Sequence, residues 1–172
     1  MPLSTLLTWL GVSEPEQSDH SPLRELVQTL DRMEPDRARH LARFAYLLGR
    51  VALADREVSV EETSTMERLL VEQGQLSPAQ ATVVVGLART SNLLFGGTAD
   101  FQVAQEFAVD ATYEDKLALA RCLFAVAATD ASISLEEESE IHRIVNQLKV
   151  LPQDLTALRV QHGAMLPGVR KP

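Results

Sequence analysis

A chain of 172 residues with 45% hydrophobic and 23% charged content is long enough to bury a core without disulfide or metal staples. Sixteen basic against twenty-four acidic residues leave a net charge of −8, which argues against an electrostatic grip on nucleic-acid phosphates or anionic lipid and favours cations or basic partners. Five Phe, two Tyr and one Trp are too few for base-stacking platforms, and no run of eighteen apolar residues exists to span a membrane.

The first predicted element is a short amphipathic helix, with Leu3, Leu6, Leu7 and Leu10 as its stripe and Trp9 beside it. It lacks the basic start and cleavage site of a signal peptide, so a cytoplasmic location is expected. It also lacks Lys or Arg on its polar face, so packing on the body of the protein is expected over lipid. Residues 11–21, GVSEPEQSDHS, read as linker. This gives a helix and linker over 1–21, a helical domain over 22–160 and a flexible tail over 161–172. Ser21-Pro22 starts a helix with Leu23, Leu26, Val27 and Leu30 on one face. Pro35 opens a long helix to about Ala54, with Leu41, Phe44, Ala45, Leu48, Val51 and Ala52 inward. Ser59 and Glu62 form a capping box for a helix to about Gln73, where Gly74 is placed to take a left-handed cap.

Ser77-Pro78 starts a helix through Val83, Val84 and Leu87 that Phe95-Gly96-Gly97 ends. A short helix from Ala99 to Val109 is expected to turn Phe101, Ala104, Phe107 and Ala108 inward, and Thr112 to Asp115 cap the long helix holding Leu117, Ala120, Leu123, Phe124 and Ala127. Cys122 lies in that apolar pattern, ALARCLFAVAA, and reads as a buried small hydrophobe in a reducing compartment. Ser134 with Glu137 caps the next helix, whose inward residues are Ile141, Ile144, Val145 and Leu148, and Leu151-Pro152 opens the last. The fold class is therefore all-α: one helical domain of about seven to nine helices.

Val51 to Leu70, VALADREVSVEETSTMERLL, returns 75 residues on as VAATDASISLEEESEIHRIV, Val126 to Val145, with eight identities in twenty. A helix-turn-helix hairpin is used twice, and the domain is built around the two copies. Each copy sets an aspartate, Asp55 or Asp130, at the negative end of a helix dipole. Two readings stand side by side. The aspartates fasten the loop by accepting its N–H groups while the glutamates cap. Alternatively Asp55, Glu61 and Glu62, and Asp130, Glu136 and Glu137, offer hard oxygen ligands to Ca²⁺ or Mg²⁺. The turn is no EF-hand: it spans eight residues rather than twelve and contains no glycine. Glu136, Glu137, Glu138 and Glu140 read as a solvated face, and Glu138 with His142 as an exposed i, i+4 pair. The four histidines form no His-x-x-x-His pair, no hydrolase or phosphate-loop pattern is present, and no catalytic residue is nominated.

The hairpins ADREVSVEE and TDASISLEE, with the preceding KLALARCLFAVAA, resemble the TerB-like domain of bacterial tellurite-resistance proteins, which also precedes the J domain of a membrane-anchored co-chaperone. The resemblance covers roughly Leu23 to Leu148. It implies an all-helical, non-enzymatic module of stress response, with cation binding through Asp55, Glu61, Glu62, Asp130, Glu136 and Glu137. It also implies chaperone or membrane-associated protein partners and thus a location peripheral to a membrane. Where that family has glycine after the aspartate, Arg56 and Ala131 stand here, so the close backbone approach that glycine permits is lost. An interaction module is the leading expectation, a Ca²⁺- or Mg²⁺-dependent sensor the second, and an enzyme, marked by a pocket gathering Asp55 or Asp130 with a histidine, the third.

Overall fold

Helices begin in this chain where a side chain can accept the free N–H groups of a first turn. The computed structural model describes residues 26, 28–52, 60–95, 100–130 and 132–166, with no side-chain description at 61, 62, 90–95, 100, 130 and 165. Glu34 accepts the Arg37 N–H at 3.1 Å and opens α1 (Pro35–Ala52). After α2 (Val60–Gly74), Ser77 and Gln80 exchange both capping-box bonds, at 3.1 and 3.2 Å, and start α3 (Pro78–Phe95). Next comes α4 (Asp100–Asp110), and the expected boxes follow: Thr112 with Asp115 for α5 (Tyr113–Ala127), and Ser134 with Glu137 for α6 (Leu135–Gln147). The last helix, α7 (Pro152–Gln161), has no side-chain cap of its own. Instead the Tyr113 hydroxyl accepts the Leu151 N–H at 3.0 Å and donates to Asp154 at 2.5 Å. Turns of 3-10 helix follow α5 at Ala128–Asp130 and α7 at Gly163–Met165. There is no strand among the described residues, as an all-α fold requires.

The repeat has a spatial counterpart. Each copy is a set of three helices, α1-α2-α3 and α5-α6-α7, with α4 between them. The two first helices, α1 and α5, pack on each other; the second helix of the first copy, α2, packs on the opposite first helix α5, while α6 packs equally on α1 and on its own α5. The third helices return to their own copy, α3 on α1 and α7 on α5. Because α1 is covered by α3, α4, α5 and α6, every residue from Leu41 to Gly49 is buried. The stripe expected there is only part of what the helix hides. Phe44, Leu48, Leu70, Leu87, Phe107, Phe124 and Ile141 meet in one core.

Two expectations fail, one because a helix face is defined by its neighbours and the other because α2 runs through Gly74 itself. Phe101 is 64% exposed, and Val103 takes the inward position beside Ala104 and Phe107. Gly74 does not carry the left-handed cap; Gln75 does, at φ 57°. What glycine supplies at 74 is room, since a Cβ there would stand 3.0 Å from Cys122 Sγ. Closer still is Gly49, where a Cβ would meet the Ala88 carbonyl oxygen at 2.9 Å and push α1 off α3. The stripe of Leu3 to Leu10, the Ser21-Pro22 start, the Ser59 cap and the Gly96-Gly97 stop lie outside the described residues.

Candidate functional site

Of the six candidate ligands, Asp55 lies outside the described residues, as do the side chains of Glu61, Glu62 and Asp130. Glu61 and Glu62 fall in the first turn of α2, and Asp130 closes the 3-10 turn after α5. Glu137 is committed: its Oε2 accepts the Ser134 N–H at 2.7 Å, and its own N–H donates to Ser134 Oγ at 3.1 Å. Glu136 is exposed in the same turn. The rest of the acidic run is not the solvated face expected of it. Glu138, 13% exposed, accepts from Arg159 of α7 at 2.6 Å, and His142 stands 3.9 Å away. Glu140 holds Arg143 on its own helix and faces Arg50 of α1 at 3.7 Å. Run composition suggested solvation; packing of α6 on α1, together with the Arg159 bridge to α7, turned these carboxylates inward. Among the described residues no group of three or more His, Cys, Asp and Glu could hold a metal ion.

Among the described residues, two clefts gather further polar side chains. The first, about 240 Å³, lies between α1 and α4 and is lined by Asp36, Arg39, His40, Arg43, Phe107, Asp110 and Ala111. Arg43 is 7% exposed and sends Nη1 to Asp110 at 2.5 Å and Nη2 to Glu106 at 2.6 Å, while its buried Nε has no partner. His40 lies against Phe107, ring centroids 5.0 Å apart. Burial lowers its pKa below 6.5, opposed by Asp115 and reinforced by Arg37 and Arg43. Burial would raise the Asp115 carboxyl, but hydrogen bonds from the Thr112 hydroxyl and N–H, with His40 and Arg37 nearby, hold it below its ordinary value.

The second cleft, about 430 Å³, opens between α2, α5 and the end of α7. Arg68, Arg121 and His162 line it with Thr65, Gln73, Thr129 and Gln161 over an apolar floor of Leu69, Ala125 and Ala128. His162 stacks on Phe124 at 5.6 Å and faces the Leu158 carbonyl through Nδ1 at 3.0 Å. Cys122 is no part of either cleft, and burial pushes its thiol up to about 12, so it is no nucleophile.

The family model described as tellurite resistance protein TerB matches residues 40–160, which takes in both hairpins and most of both clefts. The chain belongs to the TerB family. No curated protein and no solved structure matches it significantly. Among the described residues, no helix of this TerB chain is long and apolar enough to cross a membrane. Within the matched region, sequence reasoning passed over Arg43 and Arg121. Both stand inside apolar runs, LARFAYLL and LARCLFAV, and a cation interrupting an inward pattern was the available signal.

Proposed function

We propose that this TerB-family chain is a non-enzymatic interaction module of the tellurite-resistance type, working in stress response by presenting its two hairpin turns to a protein partner. The supporting observation is a matched pair. Val60 and Leu135 occupy the same position of the two copies and are 79% and 63% exposed, each followed by an acidic pair. Apolar side chains with that exposure contribute nothing to the core, whereas as paired anchors they suit recognition of an apolar and basic surface. The test is affinity capture from the native cell with wild type and with Val60→Ser/Leu135→Ser. Partners retained by wild type should be lost from the variant at unchanged melting temperature. Equal recovery would remove the proposal.

A second reading is a divalent-cation response of the same turns. The described part of the donor set fits it only in part: Glu136 is uncommitted, and Glu137 has one carboxylate oxygen engaged in capping. A hard cation wants six or more oxygens, so a site would also draw on Asp55, Glu61, Glu62 and Asp130 with backbone or water oxygens. Melting temperatures of wild type and Asp55→Asn/Asp130→Asn with millimolar Ca²⁺ or Mg²⁺, and with chelator, decide it. Stabilisation of about 2.7 kcal/mol at a hundredfold excess over Kd should appear in wild type alone. A wild type indifferent to ions and chelator leaves the aspartates as loop fasteners.

A further inference from the structure

We propose that the cleft between α2, α5 and the end of α7 binds a small organic monoanion, a carboxylate carried on a short apolar body. The chain as a whole is acidic, at −8, yet Arg68, Arg121 and His162 line this cleft, and no carboxylate does among the described residues. Arg121 is held in place from behind. Its Nε donates to the Gln73 carbonyl at 3.4 Å and its Nη2 to Glu114 at 2.9 Å, which leaves Nη1 unpartnered among the described residues. Arg68 has one bond, from Nη1 to Glu72 at 3.4 Å, in an exposed i, i+4 pair. Such pairs are weak enough that the guanidinium can turn to an incoming anion at little cost. With the Nδ1 proton of His162 directed to the Leu158 carbonyl, Nε2 of the neutral ring is an acceptor, so the two arginines supply the charged donors for an anion.

The size and floor of the cleft select the class of anion. At about 430 Å³ it would hold on the order of a dozen waters, far more than one inorganic oxyanion displaces. Leu69, Ala125 and Ala128 supply an apolar surface that a bare oxyanion could not use. Both α5 and α7 end at the cleft, and the negative ends of two helix dipoles oppose any anion there, a multiply charged one the most, so the arginines must outweigh them for a single charge. A single carboxylate on an alkyl or aryl group satisfies all three conditions.

The test is ¹⁵N–¹H NMR of the full chain titrated with sodium benzoate, sodium hexanoate, benzyl alcohol and sodium sulfate. Benzoate and hexanoate should shift the amides of Leu69, Ala125 and Ala128 saturably below about 10 mM. Arg121→Gln should weaken them at least tenfold, and Arg68→Gln, which alters only an exposed side chain, about threefold. Benzyl alcohol, with the same ring and no charge, should bind at least tenfold more weakly, and sulfate should give no saturable shift. The proposal is overturned by carboxylates that produce no saturation, by benzyl alcohol matching benzoate, by sulfate matching either carboxylate, or by affinities indifferent to both arginine variants.

Discussion

Removing the cation and removing the anions of the Arg43 cluster should have very different costs. Arg43 is buried, whereas the side chains of its partners Glu106 and Asp110 remain 34% and 55% exposed. Glu106→Ala/Asp110→Ala strands a guanidinium in the core, a change that costs about 3–5 kcal/mol when a buried pair loses one side. Alanine favours the α4 helix, so propensity cannot account for a loss. For a chain of this size about 3 kcal/mol corresponds to a drop of roughly 6–12 °C in melting temperature. Arg43→Met keeps a flexible stem of similar reach and helix propensity. It leaves two carboxylates that water can already reach, and it removes an Nε that is buried without a partner, a defect worth about 1–3 kcal/mol by itself. Its net cost should stay within about 1 kcal/mol, or roughly 2–4 °C. Urea and thermal unfolding of the three proteins measure this directly. An Arg43→Met protein less stable than the double alanine variant would refute the asymmetry, and with it the view that burial of the cation dominates the cluster.

Gly49→Ala should destabilise by about 1–3 kcal/mol despite the better helix former, because its Cβ meets a backbone oxygen at 2.9 Å; Gly163→Ala, with nothing within 4 Å, should be neutral in the same melting assay. Ser134→Ala removes the capping box of α6 and should lower stability by about 1 kcal/mol in urea unfolding, with an unchanged midpoint counting against the cap. The depressed pKa of His40 means that the unfolded chain binds its proton first. Its contribution is therefore complete above pH 6.5 and shrinks as pH falls from there through the folded value. Between about pH 7.5 and 5.5 the melting temperature of wild type should fall more steeply than that of His40→Gln, and parallel slopes would assign the loss to other groups.

The helix starts were legible because each is a local exchange of hydrogen bonds between residues three apart: Ser77 with Gln80, Thr112 with Asp115, Ser134 with Glu137. The inward stripe was legible for α6, where the pattern records one buried face, whereas in α5 burial spreads beyond the stripe to Ala118, Leu119 and Val126. Periodicity does not count neighbours, so the burial of α1 on all sides and the outward turn of Phe101 had no local signature. The same limit governs the candidate site. Glu137 as a capping residue could be read from Ser134 three residues before it, but the commitment of Glu138 to Arg159 and of Glu140 to Arg50 depends on which helices come to lie beside α6. The second cleft draws on α2, α5 and α7, segments separated by dozens of residues, and composition alone suggested an acidic surface throughout.

With α2 placed on α5, and α6 shared between α1 and its own α5, the core is closed by both copies of the repeat together. Each half resembles one subunit of an intertwined dimer whose two chains have been joined end to end. A fragment carrying one copy would expose the side of its first helix that the other copy's second helix covers, and its most complementary cover is a second molecule of itself. Joined in one chain, the halves must find each other across a long stretch of sequence before either is stable, so loss of one is loss of both and the described helices unfold as a single cooperative unit.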